Sequence, residues 1–537
     1  MEKRVSFLGK NAKWLIAAFF AFASGLICKT FLDYGVTWDE AYHQTYGDLI
    51  LRWYFSFFND AAATRHDFLI FYGGFFDTLV QLATYLFPWG PLETRHFADA
   101  LFGLWTAFVS FKIARHIAGS LAGFFSALSL LLHPVFYGHM FNNPVDIPFA
   151  ALMMTTLYGM ISTYDGLPRL SLKDLFKIGL PLGLTLGIRI SGIFILLPCL
   201  AVFWLLWFGS RRSQAKESPA LPLRQTLGDL ARNLAGILAI AWPVMLVWWP
   251  WAQLDPLANP FTAALKATQW DLNSPDMTVL FDGKNYGFFH APRSYLLQSI
   301  LVTLPEFFFI TLFIGGIGAA FLLFRDPKLT AKRVQTGLLL FALIFPVLGA
   351  ALFNSPQFDG FRHFLFLIPL LAILGGISFA MFLRSRIARW IKILAGFAVT
   401  FSLCLTVFDM CRLHPYETVY FNRIPAGGLT EASKKYETDY WGNSYREGIL
   451  WVIKNYHPDL KRKIRVMNAS EPFQTAYYLE KTQELRDRFE MVQTDPDIYL
   501  STTRWERHKI IPGKVLYTVE RDHTPLLYVI EVSKEPS

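Results

Sequence analysis

The sequence predicts an α-helical polytopic membrane protein with a small α/β domain at its C-terminus. Apolar residues make up 53% of the 537 residues and charged residues 17%, whereas a soluble domain is about 25% charged. Mean hydropathy is +0.33. Many apolar residues lie in runs close to the roughly 20 residues that a bilayer-spanning helix needs. This composition argues against a disordered, fibrous or disulfide-rich secreted chain and against an ordinary cytosolic enzyme.

About eleven transmembrane helices are expected. The first is read as an uncleaved signal anchor. A further apolar stretch, 66–88, contains paired glycines and Asp77, so we expect a helix that lies in the membrane interface. The predicted spans are 14–32, 97–112, 120–138, 145–163, 174–188, 190–209, 233–251, 295–324, 335–353, 364–383 and 391–410.

The distribution of Lys and Arg predicts the orientation. With the N-terminus inside, the inner segments carry 22 basic residues and the outer loops before the tail carry nine. If 66–88 crossed the membrane, every later loop would be reversed. The net charge of +9 is therefore attributed to topology, and no nucleic acid partner is expected. The four cysteines show neither metal-ligand spacing nor a disulfide framework.

The predicted spans divide the chain into two domains. Residues 1–410 form a transmembrane catalytic domain with long outer loops at 33–96, which includes the interfacial helix, and at 252–294. Residues 411–537 form a soluble outer domain. Its strand-like runs at 464–468 and 515–532 and its helix-like run at 443–456 indicate an α/β fold.

Acidic residues follow two predicted spans on the outer side. Asp39 and Glu40 lie in the first outer loop, with His43 close behind, and Asn143 and Asp146 lie in the second. An isolated acidic pair is usually a solvated loop. Asp146 at a helix start could cap free N–H groups, or it could meet Asp39 in a site.

Cations are predicted at the same side. Arg189 lies between two closely spaced spans, where an arginine either pairs with an acid or binds an anion. Its guanidinium could hold a phosphate or pair with Asp146, and the sequence leaves both open. Further cations on outer loops are Lys284, Arg293 and Arg362, the last beside His363.

These residues resemble the GT-C class of integral-membrane glycosyltransferases, specifically the protein O-mannosyltransferase and aminoarabinose-transferase-like group (family 39/83 type). The resemblance covers roughly residues 14–410 and treats the tail as an addition. It rests on Asp39-Glu40, on residues 143–146, on Arg189, on residues 359–363 and on the stretch 436–442.

The resemblance implies transfer of a sugar from a polyprenyl-phosphate donor, with inversion, to an acceptor hydroxyl or other nucleophile. Asp39 would be the general base, with Glu40 and Asp146 positioning the substrates. Arg189 and Arg362 would hold the donor phosphate. The charge distribution places the site and the tail on the outer side, and a compact chain with an outer soluble tail suits a bacterial inner membrane, where that side is periplasmic.

Other residues receive roles from their position on the outer loops. We expect two further cations to assist with the donor phosphate and three polar residues to contact substrate. They are, respectively, Arg293 and Lys284, and His43, Asn143 and His363.

No cofactor is required, because phosphate is a good leaving group. A Mg²⁺ or Mn²⁺ ion held by Asp39, Glu40, His43 and Asp146 is an open alternative. The competing functions are a glycolipid transporter or flippase and a non-catalytic scaffold. Glu306, inside an apolar run after Pro305, is either a structural partner for a broken helix or a trace of transport. The sequence identifies neither the sugar nor whether a glycan, a lipid or a protein accepts it.

Overall fold

The computed structural model describes residues 12–213, 222–268, 278–287, 290–325, 330–353, 355–458 and 461–533. Parts of the predicted inner segments 1–13, 210–232 and 325–334 lie outside these residues. The described chain is a helical bundle, and the residues from 414 onward, called the tail here, pack against one end of it. One hydrophobic core contains side chains of both.

The first half of the chain is helical. Its helices are, in order, α1 (Ala12–Thr30), α2 (Glu40–Phe55), α3 (Phe75–Thr84), α4 (Pro91–Ala118), α5 (Ser120–Leu131), α6 (Pro134–Asn142), α7 (Asp146–Ser162), α8 (Leu172–Leu186), α9 (Ile193–Ser213) and α10 (Leu223–Val247).

The second half of the bundle contains a small β-hairpin between its second and third helices. Its elements are α11 (Pro250–Leu254), α12 (Ala258–Thr268), β1 (Thr278–Phe281), β2 (Lys284–Gly287), α13 (Tyr295–Thr303), α14 (Glu306–Arg325), α15 (Thr330–Leu352), α16 (Leu367–Arg384) and α17 (Arg389–Leu413). Strands β1 and β2 are antiparallel and occupy part of the predicted outer loop 252–294.

The predicted membrane protein is confirmed. Among the described residues, seven helices are long and apolar enough to cross a membrane, and nine if each of two bent helix pairs is one span. The predicted spans 145–163 and 174–188 correspond to α7 and α8, with 17 and 15 residues. Helix α3 has ten residues, which is too short to cross a bilayer, as the interfacial prediction for 66–88 requires.

Two predicted single spans are broken. The run 120–138 bends by 68° between α5 and α6, and the run 295–324 bends by 104° between α13 and α14. Proline follows each break, at Pro134 and Pro305. Because proline lacks a backbone N–H and its ring clashes with the preceding turn, a helix cannot continue through it unbent.

Glu306 lies at the second break rather than in the middle of a span. It is the first residue of α14, and its Oε1 accepts a hydrogen bond of 2.8 Å from the backbone N–H of Arg423 in the tail. Of the two roles that the sequence left open for Glu306, the structure gives it the structural one, as partner of a broken helix.

The tail is a small α/β unit. Its elements are α18 (Gly428–Ala432), α19 (Tyr445–Asn455), β3 (Ile464–Asn468), α20 (Phe473–Leu479), α21 (Gln483–Arg488), β4 (Phe489–Met491), β5 (Ile498–Thr502), β6 (Gly513–Arg521) and β7 (Thr524–Val532). The strand order is β4-β3-β5-β7-β6. The predicted strand run 515–532 is the β6–β7 hairpin, which turns at Asp522 and His523, both at positive φ.

Candidate active site

Two carboxylates and an arginine from distant segments meet where the tail contacts the bundle. Asp39 directly precedes α2, Asp146 begins α7, and Arg362 lies in a helical turn before α16. Nη1 of Arg362 lies 3.3 Å from Oδ2 of Asp39 and 3.8 Å from Oδ2 of Asp146. Acids from the first two predicted outer loops therefore share one cation.

Arg189 pairs with the other carboxylate oxygen of Asp146. Its Nη1 donates a hydrogen bond of 2.6 Å to Oδ1 of Asp146, and its guanidinium carbon lies 5.7 Å from the centre of the Tyr72 ring. The structure thus shows the pair with Asp146. The side chain of Arg189 remains 15% exposed, so it is still accessible to a ligand.

The helix cap at Asp146 comes from another residue. Oδ1 of Asn143 accepts the backbone N–H of Asp146 at 2.9 Å, while its Nδ2 donates to Oδ2 of Asp146 at 3.0 Å. Val145, the residue directly before α7, makes no side-chain cap bond. Asn143 therefore satisfies the helix start, and both oxygens of Asp146 face the cluster.

Exposure separates the acids. The side chain of Asp39 is 24% exposed and that of Asp146 is 2% exposed. Arg362, between them, is 8% exposed. Asp39 is therefore the carboxylate of this pair that is accessible to a substrate. Asp146 is buried and pairs with Arg189 and Arg362.

The tail contributes to the same cluster. Nη2 of Arg504 lies 2.6 Å from Oδ1 of Asp359, whose Oδ2 is 3.1 Å from Nη2 of Arg362. Arg504 also lies 3.3 Å from Oε1 of Glu437 and donates to the carbonyl oxygen of Tyr440 at 2.9 Å. The resemblance read from the sequence treated the tail as an addition. In the structure the tail supplies Arg504 and Glu437 to the candidate site.

The stretch 436–442 packs directly onto the cluster. The guanidinium carbon of Arg362 lies 4.7 Å from the centre of the Trp441 ring, a cation–π distance. The hydroxyl of Tyr440 lies 3.1 Å from Nε2 of His139. Sequence reasoning singled out this stretch but gave it no role, and it gave no signal for Arg504.

Burial and charge set the acidity of the site. Burial raises the pKa of Asp39 above its ordinary range, although Arg362 and His43 oppose the shift. Burial alone would lower the pKa of Arg362, but Asp359, Asp39 and Asp146 raise it above its ordinary value. A carboxylate whose pKa is raised is a stronger base once ionised.

Two predicted site residues face elsewhere. Oε2 of Glu40 accepts the backbone N–H of Thr37 at 2.8 Å, and its Oε1 lies 2.9 Å from Nε2 of His96. Nδ1 of His43 lies 2.8 Å from Asp77. Both side chains stabilise the first turns of α2 through these contacts, and neither contacts Arg362, the shared cation, in the described structure.

The remaining predicted residues divide into two groups. His363 follows Arg362 directly, and its pKa falls well below the ordinary value because of burial and then the charges of Arg362 and Arg189. Lys284 in β2 and Arg293 before α13 are exposed. Among the described residues, the structure gives neither of these two cations a contact with the cluster.

The four predicted metal ligands do not converge. Glu40 binds Thr37 and His96, and His43 binds Asp77, while Asp39 and Asp146 face arginines. Within the part of the chain that the structure describes, no three His, Cys, Asp or Glu side chains are grouped to hold a metal ion. The donor set named from the sequence therefore does not fit a Mg²⁺ or Mn²⁺ site.

A family comparison matches the centre of the chain. The model of the dolichyl-phosphate-mannose-protein mannosyltransferase family matches residues 75–252. No curated protein matches by sequence. The matched region holds the second acidic loop and Arg189, but it leaves out Asp39 and the tail.

Solved structures match the whole chain. ArnT from Cupriavidus metallidurans, bound to undecaprenyl phosphate, has a TM-score of 0.52 at 14% identity, covering 97% of this chain and 98% of that one. The oligosaccharyltransferase AglB from Archaeoglobus fulgidus, in complex with an inhibitory peptide and a dolichol-phosphate, has a TM-score of 0.49 at 11% identity, covering 91% and 70%. The comparisons confirm the predicted resemblance to GT-C glycosyltransferases, and the likeness to ArnT shows a shared fold that extends into the tail.

Proposed function

We propose that this chain is an inverting glycosyltransferase that moves a sugar from a polyprenyl-phosphate donor to an acceptor hydroxyl or other nucleophile at the outer face of a membrane. The observation that carries the proposal is the placement of Asp39. It is a partly exposed carboxylate 3.3 Å from Arg362, at the same end of the bundle as the Arg189–Asp146 pair. A base beside cations is what displacement of a phosphate needs.

The reaction assigns one role to each side of this cluster. Asp39 removes the proton from the acceptor O–H, and the acceptor oxygen bonds to the anomeric carbon. The bond from that carbon to the phosphate oxygen breaks, and the phosphate leaves with the electron pair. Attack opposite to the leaving group inverts the anomeric carbon, the logic of inverting hydrolases. No general acid is needed.

Arg189 is the better placed phosphate ligand of the two arginines. Among the described residues it contacts one carboxylate, at Asp146, whereas Arg362 contacts Asp39, Asp146 and Asp359. Arg189 therefore has nitrogens left for an anion, and Arg362 chiefly holds the carboxylates in place. Asp146, nearly fully buried, holds Arg189 in position.

The lipid chain is proposed to enter beside Arg189. Tyr72, whose ring lies next to that guanidinium, belongs to the stretch 66–88, which includes the short helix α3. A lateral entrance framed by this stretch would deliver the phosphate to Arg189 while the polyprenyl tail stays in the membrane. The undecaprenyl phosphate in the ArnT structure and the dolichyl phosphate in the family description support a donor of this class.

The phosphate charge is proposed to be neutralised by arginine and not by a resident metal. The divergence of Glu40 and His43 from Asp39 supports this. Transfer that survives exhaustive chelation would agree with the proposal, and transfer restored only by Mg²⁺ or Mn²⁺ would contradict it. The outer placement of the site is proposed from the charge distribution. A bacterial inner membrane is proposed because a compact chain with an outer soluble tail suits it.

The experiment is transfer from a panel of polyprenyl-phosphate sugars in membranes that contain the full chain. We expect one donor to yield a new glycosidic product and free polyprenyl phosphate. If the intact sugar lipid instead crosses the bilayer with no bond broken, the transporter alternative replaces the enzyme. If no donor of the panel reacts, the proposed donor class is wrong.

A further inference from the structure

The tail places a second buried arginine behind the candidate site. The side chain of Arg504 is 8% exposed, and it follows β5 in a helical turn (Arg504–Lys509). A buried arginine is costly unless its donors are satisfied. Here they meet Asp359, Glu437 and the carbonyl oxygen of Tyr440. Arg504 lies on the far side of Asp359 from Arg362.

Asp359 is shared between the two arginines. Its Oδ1 lies 2.6 Å from Arg504, and its Oδ2 lies 3.1 Å from both Nε and Nη2 of Arg362. Arg362 in turn reaches Asp39 through Nη1, at 3.3 Å. A continuous series of charged contacts therefore leads from the tail to the base proposed for the reaction.

Asp359 in this series, and the two residues that follow Arg504, have left-handed backbone conformations. Asp359 has φ of 57°, and Trp505 and Glu506 have φ of 53° and 54°. Left-handed conformations are unfavourable for non-glycine residues and persist where surrounding contacts hold them. Trp505 is held by a hydrogen bond of 2.7 Å from its Nε1 to the carbonyl of Thr278. Its ring lies 4.4 Å from the guanidinium carbon of Arg504.

We propose that Arg504 is a positioning residue of the glycosyltransferase site: it holds Asp359 so that Arg362 points toward Asp39. The catalytic meaning of this role rests on the proposed function. Arg504 contacts neither Asp39 nor Asp146 in the described structure, so it acts through Arg362. Without Arg504, Asp359 would be a buried carboxylate with one cation left, and it would draw the guanidinium of Arg362 away from Asp39.

Glu437 is the second carboxylate beside Arg504. Burial raises the pKa of Glu437 to about 7, against the opposing charge of Arg504. Asp359 lies 2.6 Å from Arg504 and Glu437 lies 3.3 Å from it, so Asp359 is the closer counter-charge. Removal of Arg504 would take away the cation that both Asp359 and Glu437 contact.

The pH dependence of the reaction reports the position of Arg362. The charged and titratable groups that act on Asp39 are Arg362, His43, Asp359 and Asp146, with Tyr42 from α2 and Glu471 from the tail. Only the first two of these lower its pKa. If Arg362 moves away from Asp39, the pKa of Asp39 rises. The acid limb of the pH–rate profile then shifts to higher pH.

The test compares Arg504→Ala, Arg504→Lys and the matched control Arg507→Ala in the full chain. Arg507 is in the same turn and also stacks on Trp505, at 4.6 Å, but it donates to the carbonyl of Ala469 in the tail. The first readout is kcat, KM and the pH–rate profile with the donor that the wild type uses. The second is the structure of Arg504→Ala.

We expect Arg504→Ala to lower kcat by roughly 10²-fold, the cost of a small misplacement of a reacting group, and to move the acid limb to higher pH. Arg504→Lys, which keeps the charge but not the fork, should fall between, and Arg507→Ala should match the wild type. A merely structural role would scale the rate equally at every pH. A wild-type profile in Arg504→Ala, or an equal loss at every pH, overturns the proposal.

The structure of the variant decides the matter independently of turnover. The proposal requires Arg362 to leave Asp39 in Arg504→Ala, and an unchanged contact of about 3.3 Å would refute it. If the wild type transfers no sugar, the proposed function fails, and the position of Arg362 still decides whether Arg504 positions it. If Asp39→Asn is inactive while Arg504→Ala is normal, only the positioning role fails.

Discussion

At the scale of single residues, the two carboxylates of the candidate site differ in how accessible they are to a substrate. Asp39 is accessible and lies beside one cation, whereas Asp146 is enclosed between Arg189 and Arg362. In the proposed reaction the same chemical group is a base at one position and a counter-charge at the other. The environment, rather than the residue type, assigns the roles.

Arg189→Ala should weaken binding of undecaprenyl phosphate to the full chain in nanodiscs by about 10- to 100-fold. A hydrogen bond to a charged group contributes about 1.5–3 kcal/mol, and about 1.4 kcal/mol corresponds to a factor of ten. Arg169→Ala is the control, because Arg169 is 59% exposed and pairs with Asp229 far from the cluster. Equal Kd values for Arg189→Ala and the wild type would remove Arg189 from the phosphate site.

Transfer should decline on acidification at a higher pH than an exposed aspartate would dictate. Asp39 acts as a base only when ionised, and burial raises its pKa above the usual value of about 3.9. Arg362→Gln removes the main opposing cation, so the decline should begin at still higher pH. The measurement is kcat/KM against pH. A wild-type rate that stays flat down to about pH 4 would exclude this assignment.

The positions of residues on predicted outer loops were enough to predict part of the candidate site. Asp39, Asp146, Arg189 and Arg362 lie at one end of the bundle because topology places alternate loops on one side. The same reasoning included Lys284, which the structure leaves exposed, since a shared side does not imply contact. Arg504 and Asp359 are 145 positions apart in the chain, and their contact depends on the docking of the tail.

At the scale of elements, the start of α2 is the best supported part of the site. Glu40 is fully buried, and its carboxylate holds Thr37 and His96. Asp39 is therefore fixed on both sides by contacts of its neighbours. From the sequence, both acids were predicted to have a role toward the substrates. In the structure Glu40 is turned to Thr37 and His96, and Asp39 is the proposed base.

Glu40→Gln should destabilise the fold more than it slows the chemistry. Removing a charge from a buried hydrogen-bonded network costs about 1–3 kcal/mol, so the melting temperature of the purified chain should fall. The transfer rate should fall by less than in Asp39→Asn. Glu431→Gln, in an exposed pair with Lys434, is the control. A normal melting temperature with a rate as low as that of Asp39→Asn would instead make Glu40 a reacting group.

Hydropathy located the helices but not their breaks. The runs 120–138 and 295–324 are apolar throughout, and window averages do not register Pro134 or Pro305. The break before Pro134 affects the candidate site, because α6 then leads at a new angle into Asn143 and Asp146. Local sequence thus predicted the helical segments, while tertiary packing decided which of them continue straight.

At the scale of the whole molecule, bundle and tail form one unit. They share a hydrophobic core, and the tail supplies Arg504 and Trp441 to the cluster. The sequence predicted the fold of each part from its own periodicity. It could not predict their joint site, because the contacts between them link segments far apart in the chain.

Orientation is testable with single cysteines in a chain whose four native cysteines are replaced. Lys434→Cys lies in the tail, and Arg386→Cys lies between α16 and α17; both positions are exposed. An impermeant thiol reagent should label the first in intact cells and the second only after lysis, because basic loops remain inside. The reverse pattern would place the candidate site on the cytosolic side.

The most direct measurement of the central claim is the transfer rate of Asp39→Asn against Asp48→Asn. Both replace an aspartate by its isosteric amide, and Asp48 pairs with Arg52 on the outer surface of α2. We predict that Asp39→Asn keeps the fold and loses at least about 10²–10⁴ in rate, the usual contribution of a general base, while Asp48→Asn transfers normally. Transfer by Asp39→Asn at the wild-type rate would contradict the account.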